Sequence, residues 1–167
     1  SPFRLVKTRR YRPHPHGNRI DMRASLRASS KRGRDMILLS RKKQKELPPP
    51  LVVLCDISGS MERYSRIILF FLHALANDRD RMHTFLFGTQ LSNISRALRY
   101  RDPDEALDRI GKTVQDWSGG TRIGAALHSF NRDWSRRVLA QGATVLLITD
   151  GLDREGAAGV AREMERL

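Results

Sequence analysis

Two hydrophobic patterns divide the chain. Over residues 1–36 apolar positions recur with no sustained period, and Pro13, Pro15 and Gly17 interrupt any helix there. Asp21 to Ser30 is a candidate short helix. Met36 to Leu39 is a brief apolar run that dissolves into Arg41, Lys42, Lys43 and Lys45; it reads as one strand of a hairpin or as a docking segment. Pro48, Pro49 and Pro50 then form a stiff spacer.

After the prolines the pattern sharpens. Leu51 to Leu54 is a continuous apolar run ending at Cys55 and Asp56, as in a strand buried on both faces of a parallel sheet. Tyr64 to Asn77 places Ile67, Ile68, Phe71, Leu72 and Leu75 at helical spacing. His83 to Phe87 predicts a second strand, and Gly88-Thr89-Gln90 turns it into a short third, Leu91 to Ile94, as a hairpin. Asp102-Pro103-Asp104 is a helix start, with helix to about Val114. Trp117 to Thr121 reads as a loop and Arg122 to Leu139 as one helix. Thr144 to Ile148 is again an apolar strand, ending at Thr149, Asp150 and Gly151, and Gly156 to Leu167 begins a last helix.

Strands alternating with helices predict an α/β fold, a mostly parallel sheet with helices on both faces. No internal repeat is visible. A sheet that stops after the last helix leaves its final strand unpaired on one side, which is a liability. The expectation is therefore a C-terminally incomplete domain, lacking a terminal strand and helix.

Charge changes the picture of the first segment. The chain has 167 residues and a net charge of +13. Residues 1–50 hold 15 Lys/Arg and 3 Asp/Glu, a net of +12, whereas residues 51–167 hold 16 and 15. The division expected is a basic arm or docking segment over 1–47 and a nearly neutral domain over 48–167. Cys55 is the single cysteine, so no intrachain disulfide can form, which is compatible with a reducing compartment. Residues 1–12 carry charge without a following secretory apolar run, and the apolar stretch Ile67 to Leu72 is far short of the ~20 residues that span a bilayer. These features predict a soluble, cytoplasmic protein.

The chemistry gathers at strand ends. Asp56 and Asp150 each close an apolar strand, and ligands of open α/β sheets sit beyond the carboxyl ends of strands. Ser58 and Ser60 offer two hydroxyls from a tight loop, with Gly59 between them permitting close backbone approach. Gly119-Gly120-Thr121 offers another hydroxyl. This all-oxygen set suits Mg²⁺, Mn²⁺ or Ca²⁺ and not zinc. Its hydroxyls are neutral, so the ion stays short of negative charge, and a carboxylate from another molecule would supply it.

Asp56-x-Ser58-x-Ser60, Thr121 and Asp150, in that order, resemble the metal-ion-dependent adhesion site (MIDAS) of von Willebrand factor A (VWA) domains. Within that superfamily the chain resembles the CoxE-like group. The residues behind this are Leu54 to Met61, Phe85 to Thr89, Asp116 to Gly124 and Thr149 to Gly151, with Ile20 to Arg23, Leu26 and Arg27 upstream. The resemblance implies a Rossmann-like fold in which Ser58, Ser60 and Thr121 give hydroxyls, while Asp56 and Asp150 bind directly or through water. It also implies a MoxR-type AAA+ ATPase as companion, in maturing or activating metalloenzymes such as carbon monoxide dehydrogenase.

Other patterns weigh less. Gly111-Lys112-Thr113 resembles the end of a phosphate-binding loop, but the required glycine five residues earlier is Ala106, and the segment is helical in pattern. Ser58 lacks the Gly-x-Ser-x-Gly surroundings of a hydrolase nucleophile. His14 and His16 read as surface residues before metal ligands, His73, His83 and His128 as packing or surface residues, and Cys55 as a small core residue. The function expected is a non-enzymatic, metal-dependent protein-binding module. The alternative is a nucleic-acid or anionic-surface binder acting through the basic arm, whose thin aromatic content, Phe3 and Tyr11, argues against base stacking.

Overall fold

A computed structural model of the chain describes residues 5–32, 38–57, 62–114, 122–140, 142–150 and 157–167. It divides into two compact units, Ser1–Pro48 and Pro49–Leu167.

The first unit has more regular structure than its pattern predicts: the short helix expected over Asp21 to Ser30 is present, and three strands join it. Strands β1 (Val6–Pro13), β2 (Arg19–Ile20) and β3 (Arg41–Leu47) form an antiparallel sheet in the order β1-β3-β2, with helix α1 (Met22–Arg32) between β2 and β3. The strand begins at Arg41, not within Met36–Leu39; Leu38 to Ser40 belong to no strand, and Met36 and Ile37 lie outside the described residues. The reason is pairing: β3 is almost entirely polar, but its backbone is claimed by β1 on one side and β2 on the other.

Polar contacts hold this unit together. Asp21 Oδ1 caps α1 by accepting from Ala24 N (3.2 Å) and its other oxygen pairs with Lys42 Nζ (3.7 Å). The buried Ser25 hydroxyl donates to Asp21 O (2.8 Å) and accepts from Ser40 N (2.9 Å), tying α1 to the start of β3. The Tyr11 ring lies 5.4 Å from the Arg19 guanidinium and 5.7 Å from Lys42 Nζ.

The second unit is the α/β domain that the alternation predicts. Its sheet runs β6-β5-β4-β7, with β4 (Leu51–Asp56), β5 (Met82–Phe87), β6 (Leu91–Asn93) and β7 (Thr144–Ile148). β4 pairs in parallel with both β5 and β7, while β5 and β6 form the expected antiparallel hairpin. Successive β4 side chains enter opposite cores, as the pleat requires. Leu51, Val53 and Cys55 pack with Leu69 and Leu72 of α2 (Glu62–Asp78) and Ile110 of α3 (Pro103–Thr113). Val52 and Leu54 pack with Phe85, with Leu127 and Phe130 of α4 (Ile123–Asp133), and toward Val160 of α6 (Ala157–Met164). Helices thus cover both faces. α3 starts as predicted: Asp102 accepts from Asp104 N (2.8 Å) and Glu105 N (3.1 Å), with Pro103 next.

The single helix expected over Arg122–Leu139 is instead two, α4 and the short α5 (Ser135–Val138). Trp134 leaves helical geometry at φ −124°, ψ −33°. Its ring packs edge-on against Phe85, centroids 5.2 Å apart, beside the similar Phe85–Phe130 contact. β7 is the edge of the described sheet, and Leu146 on it is 39% exposed, unlike any residue of β4.

Candidate metal centre

Asp56 ends the most buried strand of the molecule's sheet and is itself only 1% exposed. A carboxylate there is costly unless something offsets its charge. One partner is Thr149, whose hydroxyl donates to Asp56 Oδ2 at 3.2 Å. Register explains the meeting: Cys55 pairs with Ile148, so the next residues along these parallel strands are Asp56 and Thr149, and Asp150 follows directly. Asp150 is exposed. The two predicted carboxylates therefore belong to the carboxyl ends of adjacent strands, one buried and one reaching solvent.

The third strand converges on the same edge. Ile57 N donates to Phe87 O (3.0 Å), extending the β4–β5 ladder by one bond. Arg122 N donates to Gly88 O (3.3 Å), so the chain enters α4 from just past the end of β5. Ser58, Ser60 and Thr121 lie outside the described residues; in sequence the serines follow Ile57 and Thr121 precedes Arg122.

The donors fit a hard divalent cation. Both described ligand candidates are carboxylates, and among the described residues no cluster of three or more His, Cys, Asp or Glu forms. His14 Nδ1 accepts from His16 N (3.1 Å). Cys55 points into the core; burial first, and then the Asp56 charge, push its thiol up to about 12, so it stays protonated. Gly111, Lys112 and Thr113 sit in the last turn of α3, where the Thr113 hydroxyl donates to Arg109 O (2.9 Å), and so form no phosphate loop.

Sequence reasoning gave Thr149 no role. The signal was present, since two strands of equal character each ending in a carboxylate suggest that neighbouring residues touch. Only the register assigns Thr149, and not Asp150, to the place beside Asp56.

A parallel-rich sheet with helices on both faces, carrying acidic residues on adjacent strand ends, defines a Rossmann-like domain with its site at the carboxyl edge of the sheet. The chain belongs to the family described as VWA domain containing CoxE-like protein, whose model matches residues 2–167. Membership points to a metal-dependent interaction module.

Among solved structures, the chain is similar to proximal thread matrix protein 1 from the mussel byssus. Its crystal form 2 shares 19% identity over 71% of this chain, with a TM-score of 0.48. A second structure of that protein, with a zinc-occupied MIDAS motif, shares 19% identity over 71%, with a TM-score of 0.47. The chain spans about a third of that protein's length, 34%. Comparison with curated proteins found no match. Among the described residues no helix is long and apolar enough to cross a membrane.

Proposed function

We propose that this chain binds a partner protein through a Mg²⁺ ion held by Asp56, Ser58, Ser60, Thr121 and Asp150, with Mn²⁺ or Ca²⁺ as substitutes. The observation that carries the reading is the register that sets Asp56 and Asp150 on adjacent strand ends. Three neutral hydroxyls and two carboxylates leave a divalent ion able to accept a further acidic ligand, which the partner's carboxylate supplies. The partner class is a MoxR-type AAA+ ATPase, and the cytoplasmic pair activates a metalloenzyme of the carbon monoxide dehydrogenase kind. The chain is an adaptor and performs no chemistry of its own.

The test is capture of the ATPase by the full chain with Mg²⁺ and with chelator. Capture falls at least tenfold in chelator, and equally in Ser58→Ala and Asp150→Asn, while the melting temperature of the exposed-site Asp150→Asn variant stays near the parent's. Capture that persists in chelator overturns the reading. A second reading, contact with nucleic acid or an anionic surface through the first unit, is favoured by one observation: Arg12 and Lys43 sit directly opposite each other on β1 and β3. Like charges in that position are destabilising unless an anion lies near.

A further inference from the structure

The opposite edge of the α/β sheet holds a concavity that the metal site does not use. Pro50 precedes β4, Arg81 leads into Met82 and His83 of β5, and Arg137, Val138 and Ala140 come from the segment before β7, so the cavity lies at the amino ends of the parallel strands. Backbone bonds close that base: Leu51 N donates to Arg81 O (2.9 Å) and Thr144 N to Pro50 O (2.8 Å). The cavity holds about 310 Å³, at the lower end of the range for small-molecule pockets. β4 alone separates this edge from Asp56 by roughly 17 Å of strand.

Its lining is strongly basic. Arg81, Arg96, Arg99 and Arg137 line it with His83, against one carboxylate, Asp80. Among the described residues Arg96, Arg99 and Arg137 make no ion pair. Arg99 is held in place through Nη2, which donates to Asp80 O (2.7 Å) and Arg79 O (3.5 Å), leaving other N–H groups of its fork for a ligand. Arg137 lies 5.9 Å from the Trp134 ring. The local field is felt by His83: burial lowers its pKa first, and the charges of Arg99 and Arg81 lower it further.

We propose that this cavity binds a small phosphate-bearing molecule, with its phosphate between Arg96, Arg99 and Arg137. A tetrahedral dianion offers several acceptor edges and can meet more than one guanidinium fork at once; a single carboxylate offers one edge. The concave shape favours a small ligand over an extended acidic chain, and the buried Met82 and Val138 behind the arginines give an apolar wall for its organic part.

The probe is inorganic pyrophosphate, titrated by calorimetry into the full chain in metal-free buffer with 150 mM salt. Saturable binding is expected, with amide shifts in a parallel NMR titration centred on Met82, His83 and Arg99. The double variant Arg96→Gln/Arg137→Gln weakens binding at least tenfold with an unchanged circular dichroism spectrum. Arg12→Gln/Lys43→Gln, in the other unit, leaves it within twofold. Absence of shifts at the cavity, retained affinity in the first variant, or loss in the second overturns the proposal. So does tighter binding of a hexaglutamate peptide at the same residues, which would mark an acidic protein segment as the occupant.

Discussion

Gly17 is the residue whose replacement has the clearest consequence. It is buried in the turn between β1 and β2, its N–H donates to His14 O (3.1 Å), and Arg41 reaches its carbonyl (3.3 Å). A Cβ at this position would stand 2.4 Å from the backbone of Lys42, far inside contact distance. The obstacle is backbone of the central strand, which cannot rotate aside as a side chain can. Gly17→Ala should therefore push β2 away from β3, and the few polar contacts of this unit offer little to resist the shift. Amide exchange at Lys42 and Lys43 should speed by at least tenfold, while exchange in β4 and β5 stays as in the parent. Unchanged protection at Lys42 would show that the turn relaxes without loss. At the candidate metal site the Thr149 hydroxyl gives the buried Asp56 a donor where water cannot reach.

Elements are fastened by a few such polar points, and the firmest is Glu163. It lies on α6 yet is only 2% exposed, because α6 packs on α4. Its carboxylate accepts from Asn131 Nδ2 (3.0 Å), His128 Nδ1 (3.2 Å) and Arg166 Nη1 (3.3 Å), with Arg162 at 4.0 Å. The Asn131 bond, then those to His128 and Arg166, hold its pKa below the ordinary 4.5. A depressed carboxylate stabilises the fold fully above its unfolded value, and the contribution disappears as pH falls through the folded value. The docking of α6 should thus weaken from about pH 4.5 downward. Glu163→Gln should lower the melting temperature at pH 7 and flatten its fall between pH 5 and pH 3; an equally steep fall would remove Glu163 as its cause. What the sequence made legible at this scale were the elements that bury themselves. β4 and β5 declare their type as short apolar runs, and α2 through apolar periodicity. β3 does not, since Arg-Lys-Lys-Gln-Lys-Glu-Leu becomes a strand only through its two partners. The break at Trp134 was equally hidden, because it follows from a ring contact with a strand nearly fifty residues earlier. The carboxylates of the site were legible as strand endings, whereas the arginine cavity draws on positions 81, 96, 99 and 137, which no local motif connects.

Across the whole molecule the charge is segregated. The first unit carries 15 Lys/Arg and 3 Asp/Glu, a net of +12, on a small sheet with few buried apolar residues. Arg12 opposite Lys43, and Arg41, Lys43 and Lys45 exposed along one strand, concentrate this charge on paired backbone. A surface of that kind attracts polyanions whatever its biological partner, and the attraction has a definite salt law. On duplex DNA each phosphate contact adds about −0.9 to the slope of log K against log salt. Four contacts would weaken binding roughly a hundredfold between 50 and 200 mM salt. If the first unit is a nucleic-acid binder, deleting residues 1–47 abolishes duplex binding, Arg12→Gln/Lys43→Gln reduces the slope by nearly two units, and tight binding survives at 150 mM salt. If the charge instead serves an acidic protein partner, duplex binding follows the same slope but is already negligible at 150 mM, while the proposed metal-dependent capture continues. Binding that ignores salt would fit neither. The readout separates the two surfaces because chelator acts only on the carboxyl edge of the α/β sheet, and salt acts chiefly on the unit that holds the charge.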